Sequence, residues 1–343
     1  MRAVGYFAPG PITAPDSLVD IELPRPSATG RDLLVEVRAV SVNPVDYKVR
    51  ASAAPPAETA KVIGYDAAGV VVEAGPQASL FRPGDEVFYA GSIIRSGTNA
   101  EFHLVDERIV GHKPRSLGFA EAAALPLTSI TAWEALFDRM DIRKPVAGAA
   151  PAVLVIGGAG GVGSIAIQLV RTLTDLTVVA TASRPETMSW VKDLGAHQAI
   201  DHGKPIAAQV AALGLGAPGF VFSTTHTADH LKEIVELIAP QGRLALINNE
   251  ALELALLMRK CVSIHWESTF TRSMLETADM AEQHALLDKV AELVDAGKIR
   301  TTVAEHFGTI NAANLKRAHD GARNRQGPRQ DRARRVCVMV ATR

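Results

Sequence analysis

The sequence predicts an α/β protein in two parts, a β-rich domain and an inserted doubly wound parallel sheet with helices on both faces. Three observations predict it. Up to about Arg115 the apolar residues alternate or fall into short runs bounded by glycine. From Val153 onward, short apolar strands alternate with stretches of helical periodicity. A glycine-rich turn joins the first of these strands to its helix.

Taken in order, "LLVEVRAVSV" (33–42) alternates in its first part, and "AAGVVVEAG" and "GDEVFYAG" are strands closed by glycine. "FAEAAALPLTSITAWEALFDRM" is Ala/Leu-rich and helical, and Pro126 must break or kink it. A strand–helix series follows: "AVLVI" and "GVGSIAIQLVRTL", "LTVVATA" and "PETMSWVKDLG", "GFVFSTT" and "ADHLKEIVELIAP", then the strand "GRLALIN". "CVSIHWEST" is one more apolar strand, expected at the sheet edge. "DMAEQHALLDKVAELVDAGK" and "INAANLKRAHDGA" read as amphipathic helices, and there is no internal repeat.

A formal charge of −1 gives no general pull toward nucleic acid or anionic membrane. No apolar stretch approaches the ~20 residues that span a bilayer, and the start "MRAVGYFAPG" lacks the apolar core of a signal peptide. Two cysteines, Cys261 and Cys337, cannot build a disulfide framework or an all-cysteine zinc lobe. A soluble, reduced, cytoplasmic protein is expected. "GARNRQGPRQDRARR" carries arginine at 323, 325, 329, 332, 334 and 335. It reads as a solvated surface segment rather than a nucleic-acid arm, because the rest of the chain is not basic.

Gly158-Ala159-Gly160-Gly161-Val162-Gly163 fits G-x-G-x-x-G between a strand and a helix. Gly158 is expected to make the tight turn, Gly160 to leave room for a pyrophosphate, and Gly163 to let helix and strand pack closely. The N–H groups at the helix start then face the phosphates. An NAD-type site wants a carboxylate at the end of the second strand. Here Ser183 and Arg184 follow "LTVVATA", and Glu186 comes only after Pro185. A hydroxyl and a guanidinium suit a 2′-phosphate, so the expected cofactor is NADPH.

The chain resembles the medium-chain dehydrogenase/reductase superfamily, and within it the zinc-independent quinone oxidoreductases. "SVNPVDYKVR", "VIGYDAAGVVVEAG" with "FRPGDEVF", "AAALPLTSITAWEAL" and "GGAGGVGSIAIQLV" carry the resemblance, in the family's order and over nearly the whole chain. It implies a GroES-like β-rich catalytic domain (1–127 and 272–343), a Rossmann NADPH-binding domain (128–271), and an active site between them. In zinc-dependent relatives a cysteine stands at the place of Asn43, a His-Glu pair at Tyr65-Asp66, and a further cysteine near Pro126 or Leu127. None is present, so no metal site is expected. The resemblance also places Thr128 beside the nicotinamide ribose, and His202 where the family often has a tyrosine against the adenosine phosphate. Ser223, Thr224, Asn248 and Asn249 follow later strands, on the ligand-binding edge of an open parallel sheet. The family's usual C-terminal helix, glycine turn and closing strand change character after His319, and only "RRVCVMV" recovers a strand pattern. True divergence and a reading-frame slip would both produce this.

Without a metal, hydride addition to the β-carbon of an enone or quinone is the easier reduction, because charge spreads onto oxygen, where oriented donors stabilise it. Asn43 can offer an amide N–H, Lys48 an ammonium and Tyr65 a phenol. The plainer readings are a turn former, a solvated lysine and a packing tyrosine, while Asp46 orients the loop or pairs with Lys48. The expected function is NADPH-dependent reduction of small quinones or α,β-unsaturated carbonyls. The alternatives are a zinc-free aldehyde or alcohol oxidoreductase, or an NADPH-binding sensor with little turnover. An apolar edge strand at "CVSIHWEST" predicts a homodimer.

Overall fold

The computed structural model describes residues 1–324 and 336–340, so most of the Arg-rich segment, 325–335, lies outside the described residues. The chain divides into two compact units, Met1–Ile130 with Phe270–Arg343, and Thr131–Thr269.

The first unit opens with β1 (Arg2–Tyr6), β2 (Val19–Glu22) and β3 (Asp32–Val42), followed by the helix α1 (Pro44–Ser52). Then come β4 (Lys61–Val62), β5 (Ala67–Ala74), β6 (Glu86–Tyr89), β7 (Phe102–Asp106) and β8 (Val110–His112). β1 pairs with β2 on one side and β4 on the other, both antiparallel. β3, 11 residues long, pairs antiparallel with β5 along most of its length, while β7 takes the opposite edge of its first half. β6 and β8 extend the sheet beyond β5.

The Ala/Leu-rich stretch divides at the expected proline. α2 (Phe119–Ala123) ends before it, and α3 (Pro126–Trp133) starts on it. Proline suits that first position, since its missing N–H would have no intrahelical partner. A π-helical turn, Glu134–Arg139, continues α3.

The second unit is the strand–helix series: β9 (Ala150–Ile156), α4 (Gly161–Leu173), β10 (Thr177–Thr181), α5 (Pro185–Asp193), β11 (Gln198–Ile200), α6 (Ile206–Ala212), β12 (Pro218–Ser223), α7 (Thr227–Leu237), β13 (Arg243–Leu246) and β14 (Ser263–Trp266). All six strands are parallel, in the order β11-β10-β9-β12-β13-β14. This is the doubly wound Rossmann order, whose direction reverses between β9 and β12. The fully buried strand residues Leu154, Val221 and Leu244 pack against Ile234 and Ile238. β14 is the edge strand, with Trp266 49% exposed. β11 and α6 are elements the sequence reading passed over.

The chain returns to the first unit through α8 (Thr271–Leu275), α9 (Glu282–Asp295), β15 (Val303–Thr309), α10 (Ala312–Asn324) and β16 (Val336–Val340). β16 pairs antiparallel with the second half of β3 and carries β15 beside it. The GroES-like unit is therefore closed by residues that lie about 300 positions downstream of its main strand. Among the described residues no helix is long and apolar enough to cross a membrane.

Candidate active site

The residues singled out from sequence form two groups, one in each unit. In the second unit the glycine turn follows β9. The left-handed backbone belongs to Gly157 (φ 80°), one residue before the motif, which corrects the assignment of the tight turn to Gly158. Gly158 serves a different purpose: a Cβ there would lie 2.8 Å from the Cβ of Ala180 on β10. A Cβ on Gly163 would lie 2.3 Å from the carbonyl oxygen of Gly157, so α4 can start this close to β9 only with glycine. Gly160 is the N-cap of α4, which leads with Gly161 and Val162; Ala159 is buried beneath the turn. The first N–H groups of such a helix have no intrahelical acceptor, and the helix dipole adds positive potential there.

Ser183 and Arg184 follow β10, both half-buried. Arg184 caps α5, and its backbone N–H donates to Thr187 Oγ1 at 3.1 Å. Its Nη1 stands 3.6 Å from Glu186 Oε1, while its Nε is buried with no hydrogen-bond partner among the described residues. Half-buried His202 follows β11. The hydroxyls at the end of β12 are engaged within the unit: Ser223 Oγ with Thr227 Oγ1 at 2.8 Å, and Thr224 Oγ1 donating to the Ile156 carbonyl at 2.8 Å. After β13, Asn248 Nδ2 donates to Glu250 Oε1 at 3.1 Å, and Asn249 is exposed.

In the first unit, Asn43 caps α1 and is 3% exposed. Its Nδ2 donates to Asp66 Oδ2 at 2.7 Å and to Ser41 Oγ at 3.2 Å. Both amide hydrogens are thus directed to Asp66 and Ser41, where the sequence reading expected one of them on a substrate oxygen. The backbone N–H of Asn43 donates to Asp46 Oδ2 at 2.6 Å, so Asp46 orients the loop. Lys48 stands exposed on α1. Tyr65 is 1% exposed, packs edge-to-face on Phe270 with centroids 5.3 Å apart, and has a hydroxyl without a hydrogen-bond partner among the described residues. Burial first, then the charges of Asp46 and Tyr6, hold its phenol well above the ordinary range, so it is a proton-bearing donor at neutral pH. Thr128 Oγ1 donates back to the carbonyl of Leu125, the residue just before its helix, at 3.0 Å.

Comparison with known proteins agrees with this architecture. Residues 29–133 match the alcohol dehydrogenase GroES-like domain, and residues 161–291 match the zinc-binding dehydrogenase domain. A zinc-type alcohol dehydrogenase-like protein of Staphylococcus aureus (strain MSSA476) is 37% identical over 322 residues, covering 93% of this chain and 95% of that one. The chain belongs to the medium-chain dehydrogenase/reductase superfamily. A crystal structure from Rhizobium etli CFN 42, named for the zinc-dependent alcohol dehydrogenases, superposes with a TM-score of 0.97 at 64% identity, over 100% of this chain and 98% of that one. The 2-methylene-furan-3-one reductase of Solanum lycopersicum is 40% identical over 182 residues, covering 50% of this chain and 45% of that one. The chain is an oxidoreductase of this superfamily, whose members bind nicotinamide cofactors.

The zinc implied by some of these names does not fit the residues present. Ser41, Asn43 and Tyr65 offer hydroxyl and amide groups where zinc wants thiolate or imidazole. Asp66 already accepts from Ser41 Oγ at 2.7 Å, Asn43 Nδ2 at 2.7 Å and the Leu127 N–H at 2.9 Å. Among the described residues no group of three or more His, Cys, Asp or Glu could hold a metal. A nicotinamide dinucleotide does fit: at 157, 158 and 163 only glycine lets the turn pack this tightly against its neighbours, which sets the start of α4 at the carboxyl edge of a doubly wound sheet.

Two groups, Asp66 and a cluster around Arg139, escaped the sequence reading. Asp66 is 0% exposed, and burial pushes its carboxyl up to about 8 against the pull of its three donors. Its signal was available, since it is the lone charge in the apolar run from Val62 to Val72. Burial likewise pushes Asp46 up to about 7. In the second unit Arg139 reaches two buried carboxylates, Nε to Glu267 Oε2 at 3.1 Å and Nη2 to Glu134 Oε2 at 3.5 Å. Burial and then the neighbouring Glu134 push the Glu267 carboxyl well above the usual range. Glu267 lies 128 positions from Arg139, so no local pattern joins it to the Glu134–Arg139 pair.

Proposed function

We propose that this chain is an NADPH-dependent, zinc-independent reductase of quinones or α,β-unsaturated carbonyls. The observation that carries the reading is the Tyr65 hydroxyl, a buried donor with no partner among the described residues. An unsatisfied buried hydroxyl is costly, by ~1–3 kcal/mol. A substrate oxygen would relieve that cost.

The glycine turn and the start of α4 hold the pyrophosphate, and Ser183 with Arg184 receive the 2′-phosphate, with the orphaned Arg184 Nε as one donor. When bound, the dihydronicotinamide would supply a hydride. Tyr65 donates its hydroxyl hydrogen to the carbonyl oxygen, where charge accumulates as the β-carbon is reduced. Lys48 adds positive potential from α1, and its exposure lets it exchange protons with water. A conjugated acceptor suits so sparse a donor set, because its charge is delocalised before a proton arrives. The 40% identity to a reductase named for an enone substrate supports the same class.

The test is oxidation of NADPH and NADH by the purified protein with a panel of small quinones, enones and simple aldehydes. Turnover with quinones or enones, and at least tenfold tighter binding of NADPH than NADH, is expected. Arg184→Ala should remove most of that preference. Equal affinity for the two cofactors overturns the NADPH assignment, turnover only with aldehydes overturns the substrate class, and tight cofactor binding without turnover points to a sensor.

A further inference from the structure

Helix α1 carries Lys48 and is held at both ends. At its C-terminal end Tyr6 Oη donates to the Ala53 carbonyl at 2.7 Å, and Arg50 Nη1 donates to the Gly10 carbonyl at 2.7 Å. At its N-terminal end Asn43 Nδ2 donates to Asp66 Oδ2 at 2.7 Å, and the Asp46 carboxyl faces the backbone N–H groups of Gly64 and Tyr65. Asp66 is also the point where three segments meet. Ser41 at the end of β3, Asn43 at the cap of α1 and the Leu127 N–H at the start of α3 all donate to its two carboxylate oxygens. The carboxylate is acceptor-only when ionised, so it can satisfy three donors at once, which no other side chain of that size can do.

We propose that Asp66 is a positioning residue, acting through Asn43 on the helix that carries Lys48. The inference rests on the reductase reading for its kinetic consequence, but not for its structural one. An ionised Asp66 holds the Asn43 amide with its hydrogens inward. That fixes the first turn of α1, which sets where Lys48 leaves the helix relative to Tyr65, the neighbour of Asp66 in the chain. Asparagine at position 66 keeps the shape and one oxygen for the Leu127 N–H. It then turns an NH₂ group toward the Asn43 NH₂, and donor meets donor. The ionisable group facing the Asp66 carboxyl is Asp46 from α1, which in turn faces Tyr65, itself beside Tyr6 of β1. Only the aspartates titrate near neutrality, since Tyr65 keeps its proton.

The experiment compares the parent protein with Asp66→Asn, Asn43→Ser and the double variant. Serine preserves a helix cap but cannot span to Asp66. The first readout, hydrogen exchange of the α1 amides, needs no substrate. Exchange in the first turn should speed by at least about tenfold in Asp66→Asn and in Asn43→Ser, with α4 unchanged. The second is steady-state kinetics at pH 6.5 and pH 9. Asp66→Asn should lower kcat at least about tenfold at pH 9, where the parent carboxylate is ionised, and by less than about threefold at pH 6.5, with NADPH affinity unaltered. The double variant should be no slower than Asn43→Ser alone, because the effect travels through one contact. Unchanged exchange in α1 overturns the proposal, as does an additive double variant. A kcat loss equal at both pH values would show that the charge has no part. Altered exchange in a protein without reductase activity would sustain the positioning role and sink the reductase reading. If Asp66→Asn fails to fold, Asn43→Ser carries both readouts.

Discussion

Replacing Gly163 by alanine tests the cofactor cradle most directly, because two effects of opposite sign compete at one atom. Gly163 lies in the first turn of α4, and alanine is preferred over glycine inside a helix by ~1 kcal/mol. Against that, the new Cβ would sit 2.3 Å from the Gly157 oxygen, 2.8 Å from Gly158 Cα and 3.0 Å from the Gly157 carbon. These are backbone atoms, so no side chain can swing aside. Ordinary contact begins near 3.4 Å, so helix and turn must separate by 3.4 − 2.3 = 1.1 Å. Overpacking of this kind costs ~1–3 kcal/mol, and it outweighs the helical gain. A shift of that size also takes a hydrogen bond of ~2.9 Å to about 4 Å, beyond useful length. Losing a charge-assisted bond to the pyrophosphate removes ~1.5–3 kcal/mol, or roughly ten- to 150-fold in affinity. Titration of NADPH against Gly163→Ala, beside a thermal melt, should show weakened binding in a folded protein whose Tm is lowered by a few degrees. Gly10→Ala is the control, since a Cβ there meets nothing within 4 Å. A folded Gly163→Ala protein that binds NADPH within about twofold of the parent would refute the cradle.

Tyr65→Phe removes an unpartnered hydroxyl and keeps the ring on Phe270; its Tm should hold or rise, while kcat on an enone falls by about tenfold or more. Unaltered turnover would return Tyr65 to a packing role. Glu267→Gln mimics the protonated acid. The folded pKa is raised, so between the unfolded value of 4.5 and the folded value the native state holds a proton the unfolded state has lost, and stability falls as pH rises through that window by up to ~1.4 kcal/mol per unit. Melts of Glu267→Gln from pH 6 to pH 9 should therefore decline less than the parent's, and parallel curves would show that Glu267 is ionised throughout. The open edge of β14 predicts a homodimer, about twice the 36.4 kDa of one chain by light scattering, and Ile264→Lys should give monomer. A parent protein that scatters as a single chain at micromolar concentration would count against it.

Elements whose signal is local were legible from the residues alone. The apolar strand, the glycines and the helical periodicity of 153–171 are neighbours in sequence, and they specify β9, the turn and α4 without reference to anything distant. Pro126 marks a helix boundary for the same reason, since its ring and missing N–H act within one turn. β11 and α6 were not legible, because three strand residues and seven Ala-rich helical residues are too short to show a period; the neighbouring β10 and α7 stabilise them. In the candidate site, sequence supplied the residue types, and tertiary structure decided their roles. Asn43 is a capable donor in any sequence reading, yet its hydrogens point inward because Asp66, 23 positions away, lies 2.7 Å from its amide nitrogen. Tyr65 is a candidate by type, and only its burial and orphaned hydroxyl raise it above the others. Ser223 and Thr224 look available in sequence, but each is satisfied by a neighbour once the sheet forms. The physical reason is common to all three. Which polar atoms remain unsatisfied depends on what the fold brings within about 3 Å, and most of those partners are distant in the chain.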